Sequence, residues 1–124
     1  MEHCSGFSLS DIIKKENMKL TERLIAKIIK QILYAIAFMR ERNVMHRDLK
    51  LENIIVDGSD TVKIIDFTWA IQSKKKRKSF CGTLEYICPQ MVKDEEYGHE
   101  VDTYCVGIVM YELFYFKSPF IAET

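Results

Sequence analysis

Three side chains stand out for the chemistry they could do together: Asp48, Asn53 and Asp66. Asn53 immediately precedes the β-branched run Ile54-Ile55-Val56, and Asp66 follows a second run, Val62-Lys63-Ile64-Ile65. Between them, Asp57-Gly58-Ser59-Asp60 is turn chemistry, so the two runs are expected to form a β-hairpin. An antiparallel pair sets the residue before its first strand beside the residue after its second, so Asn53 and Asp66 are expected to meet. Two oxygen-bearing side chains at the open end of a hairpin suit a hard cation such as magnesium, which takes few protein ligands and fills its shell with water and phosphate oxygens. Asp48, earlier in the same polar segment, is then placed to act on a group held beside that cation. The competing reading is a solvated polar loop next to an ordinary hairpin.

Longer elements must hold these residues. From 21 to 42, Leu24, Ile25, Ile28, Ile29, Ile32, Leu33, Ile36 and Met39 recur at helical spacing, which predicts a long amphipathic helix with Thr21 as its cap. A short helix is expected over 8–15, beginning near Ser10 after a Ser5-Gly6 turn. Residues 72–88 are polar, basic and aperiodic, which predicts a long loop. A second helix is expected over about 101–116, with Pro119 soon after it. Its apolar run contains Asp102 and Glu112 and is shorter than a membrane span needs, so it reads as a buried core helix. No internal repeat or interdomain linker is visible.

Composition narrows the class. The 124 residues are 48% hydrophobic and 29% charged, which suits one globular domain, and 18 Lys+Arg balance 18 Asp+Glu, so no overall field favours nucleic acid or an anionic membrane. The first ten residues lack the basic and apolar regions of a secretory signal, so an intracellular location, cytoplasm or nucleus, is expected. Cys4, Cys81, Cys88 and Cys105 have no zinc-site spacing and read as reduced thiols, Cys105 as a small core residue.

The acidic residues lie in His46-Arg47-Asp48-Leu49-Lys50-Leu51-Glu52-Asn53, followed by Asp66-Phe67. The first run matches the catalytic-loop pattern H-R-D-L-x-x-x-N of protein kinases, and D-F opens that family's metal-binding triplet. The likeness is densest to the Aurora group of serine/threonine kinases. Asp66-Phe67-Thr68-Trp69-Ala70 resembles D-F-G-W-S, and Cys81-Gly82-Thr83-Leu84-Glu85-Tyr86 resembles C-G-T-L-D-Y. Ser118-Pro119-Phe120-Ile121-Ala122-Glu123-Thr124 resembles P-P-F-E-A-x-T.

The resemblance implies an α+β fold: a mainly helical large-lobe portion of a protein kinase-like fold with a small β-hairpin, truncated at both ends. Residues 1–124 then form one partial kinase domain, from the hinge through the buried central helix. Its cofactors would be ATP and Mg2+. Asp48 resembles the catalytic base, and Lys50 the lysine that steadies the transferred phosphoryl; Asn53 and Asp66 resemble the metal ligands. Glu52 and Ile55 go with the nucleotide-binding residues, Ile55 as part of the floor under adenine. Met1-Glu2-His3-Cys4 resembles the hinge, with the backbones of Glu2 and Cys4 toward adenine, although an ordinary polar N-terminus reads the same way. Ser79 stands at the activating phosphorylation site, where a phosphate would pair with Arg47. Thr83 resembles the threonine that bonds the catalytic aspartate and lysine, and Asp102 the anchor of the catalytic loop. The basic run Lys74-Lys75-Lys76-Arg77-Lys78 also fits a nuclear-import patch, a nucleic-acid patch or a solvated loop.

Four departures from the family pattern are visible. Thr68 replaces the triplet's glycine and, being β-branched, is expected to resist positive φ and stiffen the loop. Cys88-Pro89-Gln90 replaces A-P-E, removing a carboxylate, and Tyr104-Cys105 replaces Trp-Ser. The glycines are too scattered to form a phosphate loop, and the strand lysine and its glutamate partner are missing. The expected function is ATP-dependent phosphorylation of protein Ser/Thr hydroxyls, with basic residues around the site, no membrane and no nucleic acid. This chain alone is expected to be inactive. The alternative is a pseudokinase fragment acting as a protein-interaction module.

Overall fold

The computed structural model describes residues 6–15 and 20–120. Glu2, Cys4, Ser5 and the last four residues of the P-P-F-like motif lie outside them.

The elements run β1 (Phe7–Ser8), α1 (Leu9–Lys14), α2 (Glu22–Glu41), β2 (Val44–Met45), β3 (Ile54–Val56), β4 (Val62–Ile64), β5 (Ile71–Gln72), α3 (Pro89–Val92) and α4 (Glu100–Tyr115). Short 3-10 turns occupy Leu51–Asn53 and Leu84–Tyr86. The Thr21 side chain accepts the Leu24 N–H at 3.1 Å and caps α2 as the sequence predicts, a bond worth about 1 kcal/mol. α1 starts at Leu9, one residue before the expected Ser10, with Ser8 as its cap; the Ser8 hydroxyl accepts the Asp11 N–H at 3.0 Å. α4 also starts a residue early, at Glu100, and Phe116 closes it in the left-handed region at φ 59.

The predicted hairpin is present, with Ile54 opposite Ile64 and Val56 opposite Val62. Its second strand ends at Ile64, and Ile65 continues the pairing only through its N–H to the Asn53 carbonyl, 2.9 Å away. Asp57 builds the turn by accepting the N–H groups of Ser59 and Thr61, which also hold its carboxyl below the ordinary range. Gln31 of α2 fastens the hairpin to the helix, donating to the Asp60 carbonyl at 2.8 Å and accepting the Val62 N–H at 3.0 Å. β1 adds to the other edge of β3, giving a three-stranded antiparallel sheet in the order β1-β3-β4.

The main core joins Ile25, Ile28 and Ile32 of α2 to Val109 and Leu113 of α4, with Leu9, Leu49 and Ile54 closing it from the loop and hairpin side. α4 is therefore the buried helix that its apolar run predicts, and Cys105 is buried in it. A second cluster of Met45, Cys81, Cys88, Met91, Tyr97 and Val101 lies beneath the long loop. Cys81, Cys88 and Cys105 are free thiols.

The 72–88 segment is more tethered than an aperiodic loop. Gln72 belongs to β5, which pairs with β2, and Arg77 exchanges backbone hydrogen bonds with Tyr97 at 2.9 and 2.8 Å. Among the described residues, no helix is long and apolar enough to cross a membrane.

Candidate active site

The loop between β2 and β3 buries backbone polar groups, which need partners inside the protein. Asp102, in the first turn of α4, supplies two of them: its carboxylate accepts the His46 N–H at 2.8 Å and the Arg47 N–H at 2.9 Å. Burial raises the Asp102 pKa, and these two donors work against that rise. His46 is fully buried; its Nδ1 accepts the Asp48 N–H at 3.1 Å, and its Nε2 lies 3.0 Å from the Ile65 carbonyl. A carbonyl only accepts, so Nε2 carries the proton in this arrangement. The imidazole thereby ties the loop to the end of β4.

Arg47 sits at φ 68, and Gly82 passes directly over it. Gly82 has φ +98, and a Cβ there would stand 2.7 Å from the Arg47 carbonyl oxygen, so only glycine fits this approach. The next residue, Thr83, is thus delivered to Asp48. Its hydroxyl donates to Asp48 Oδ1 at 2.8 Å and accepts from Lys50 Nζ at 2.8 Å. Lys50 Nζ also lies 3.9 Å from Asp48 Oδ2. Asn53 joins the group from the other side, its Nδ2 donating to the Asp48 carbonyl at 2.8 Å.

Asp66 follows β4 at φ 60, a conformation aspartate tolerates better than most residues. Its Oδ1 accepts the Thr68 hydroxyl at 2.5 Å and the Thr68 N–H at 3.3 Å. The Thr68 hydroxyl, followed by its N–H, holds this exposed carboxyl below the ordinary aspartate range. Thr68 itself does not adopt positive φ; the positive φ falls on Asp66. Asn53 and Asp66 are brought close through the backbone, but each side chain bonds elsewhere: Asn53 to Asp48, Asp66 to Thr68. Phe67 packs edge-on against His46, ring centroids 4.8 Å apart.

Arg47 extends away from Asp48. Its Nε donates to the Trp69 carbonyl at 2.8 Å and its Nη1 to the Tyr97 hydroxyl at 3.0 Å. That hydroxyl donates in turn to the Ser79 carbonyl at 2.7 Å, so one buried tyrosine joins Arg47 to the backbone of Ser79. The Ser79 residue is exposed. Ile55 lies in the middle of β3 between Ser8 and Lys63, half-buried, while Glu52 is exposed on the turn ahead of β3.

The donor set fits a hard cation. With Nδ2 of Asn53 committed to Asp48, its Oδ1 is the atom left to coordinate, and Asp66 retains Oδ2. Among the described residues, no group of three or more His, Cys, Asp or Glu side chains could hold a metal. A cation here would take two protein oxygens and complete its shell from phosphate and water, which is how magnesium is usually bound beside a nucleotide.

A family model described as protein kinase domain matches residues 1–124. The chain belongs to the protein kinase family. An Aurora kinase of Encephalitozoon cuniculi is 40% identical over 107 residues, covering 86% of this chain and 39% of that protein. Aurora kinase C of Mus musculus is 35% identical over 125 residues, 100% of this chain and 45% of that protein. The kinase shk2 of Schizosaccharomyces pombe, a serine/threonine-protein kinase, is 36% identical over 126 residues. The chain spans less than half the length of these relatives. Helices with small antiparallel sheets are the α+β composition that the kinase resemblance implies.

Within this kinase chain, the motif residues Asp48, Lys50, Asn53 and Thr83 form one hydrogen-bonded group, with Asp66 beside it across the hairpin. Sequence reasoning gave no role to Tyr97, whose side chain is 0% exposed although it sits among Glu95, Glu96 and Gly98. A single aromatic in a charged stretch was the available signal. The buried Tyr86–Glu112 hydrogen bond was equally silent in the sequence.

Proposed function

We propose that the chain is a partial kinase domain, reaching from the hinge through the buried helix of the large lobe, of an Aurora-like serine/threonine kinase. The proposed reaction moves the γ-phosphoryl of ATP to Ser/Thr hydroxyls of proteins with basic residues around the site. The observation that carries this reading is the Asp48–Thr83–Lys50 bridge, which sets a general base and a fixed positive charge on one hydroxyl. Asp48 would orient the incoming hydroxyl and take its proton, and Lys50 would offset charge on the transferred phosphoryl. Magnesium bound through Asn53 and Asp66 would neutralise charge on the nucleotide phosphates. Ile55, with Glu52 nearby, would border the nucleotide, and the backbones of Glu2 and Cys4 would meet adenine. A phosphate on Ser79 would draw Arg47, already joined to that residue through Tyr97. An intracellular setting, in cytoplasm or nucleus, goes with this reading.

The test is phosphorylation of a basic serine peptide with magnesium-ATP, by this chain and by the longest in-frame protein that carries it, each beside Asp66→Asn. Activity is expected in the longer protein alone and lost in the variant. Folded but inactive protein in both cases would overturn the catalytic reading in favour of a non-catalytic interaction module, which Thr68 and Gln90 favour.

A further inference from the structure

Thr68 stands where the resembled kinase triplet has glycine, and its hydroxyl makes a bond glycine cannot make. Asp66 is the acceptor of that bond. It is exposed and lies just past the end of β4, where few neighbours restrict its carboxylate. Its Oδ1 accepts two bonds from Thr68, one from a backbone N–H that any residue but proline would offer and one from the hydroxyl. The mount is itself fixed: the Ala70 N–H donates to the Phe67 carbonyl at 3.0 Å, and Arg47 Nε holds the Trp69 carbonyl at 2.8 Å. A β-branched side chain has few rotamers, so a threonine on a fixed backbone points its hydroxyl in a preset direction. Among the described residues, Oδ2 of Asp66 makes no hydrogen bond.

We propose that Thr68 is a positioning residue whose hydroxyl clamps Oδ1 of Asp66 and leaves Oδ2 as the oxygen for a divalent cation. The triplet threonine thus replaces the glycine's freedom with a pre-set metal ligand. This inference rests on the proposed role of Asp66 as a metal ligand, so its test must separate the two.

The probe is Mn2+ in the presence of ADP, titrated by electron paramagnetic resonance into the longest in-frame protein. Wild type is compared with Thr68→Val, which keeps the β-branch and loses the hydroxyl, with Thr68→Ser, which keeps the hydroxyl, and with Asp66→Asn. Thr68→Val is expected to weaken Mn2+ about tenfold, the lower end of what losing an outer hydrogen bond to a metal ligand costs. Thr68→Ser, which keeps the hydroxyl on a less restricted side chain, should recover most of the lost affinity, a rescue that a merely structural role would not give. In kinetic assays, the magnesium concentration for half-maximal rate should rise in Thr68→Val more than kcat falls. Should Thr68→Val not fold, Thr68→Ala carries the same loss. Equal affinities for wild type, Thr68→Val and Thr68→Ser, with Asp66→Asn weak, overturn the clamp alone. Asp66→Asn binding as well as wild type overturns the metal role and the clamp with it.

Discussion

Thr83 holds two opposite charges through one oxygen, donating to Asp48 and accepting from Lys50. Without it, Asp48 and Lys50 are left with a 3.9 Å contact on a partly exposed lysine, a weak restraint on either group. Thr83→Ala is therefore expected to lower kcat of the longer protein about a hundredfold, the scale of rate loss when a reacting group shifts by an ångström. Thr83→Ser should keep most of the rate. Steady-state kinetics check this, with KM for ATP expected to change little; an undiminished kcat in Thr83→Ala would refute the coupling. Gly82 sets the limit on this neighbourhood, since no other residue fits against the Arg47 carbonyl.

Helix α4 does more than fill the core, because it sends two carboxylates into it. Asp102 holds the loop between β2 and β3, and Glu112 accepts the Tyr86 hydroxyl. Burial raises the Glu112 pKa; the Tyr86 bond opposes the rise, and Glu52 and Glu85 add to it. Burial, and after it Glu112, also pushes the Tyr86 hydroxyl up, so the proton stays on the tyrosine. A carboxyl whose folded pKa is raised contributes stability that is complete below its unfolded pKa and lost as pH rises through the folded one. Glu112→Gln keeps an acceptor for Tyr86 and removes that loss. Thermal melts should therefore show the variant level with wild type in acid and a few degrees more stable at pH 8, the gap widening through the window between the two pKa values. A constant gap would mean that Glu112 does not titrate differently on folding.

Across the whole molecule, charge is balanced but apolar surface is not. Between α2 and α4 runs a groove of about 600 Å³, lined by Ile25, Ile29, Leu33, Met110 and Phe114 among others. Leu33 is 45% and Phe114 39% exposed, enough to make a continuous apolar strip rather than scattered residues. The isolated chain is expected to bind an apolar dye such as ANS while folded. The double substitution Leu33→Lys, Phe114→Lys should cut the emission severalfold without changing the far-ultraviolet circular dichroism. Undiminished emission would place the dye elsewhere.

The sequence by itself determined α2 through its helical spacing, α4 through its apolar run and the β3–β4 hairpin through its β-branched runs and turn, and its short motifs singled out Asp48, Lys50, Asn53, Asp66 and Thr83. Those features are legible because each depends on residues near one another along the chain. The β2–β5 pair, the Arg77–Tyr97 bridge and the four-residue α3 were not legible, since two-residue strands carry no periodicity and their partners lie far off in sequence. The same reason hid the Tyr97 link between Arg47 and Ser79, and the need for glycine at position 82. At Thr68 the sequence pointed only to a stiffer loop, whereas the tertiary structure put the positive φ on Asp66 and turned the threonine hydroxyl toward its carboxylate. Backbone angles at a turn are set by everything the turn is tied to, here Arg47 and Ile65 as well as the local residues, and only the folded chain brings those ties together.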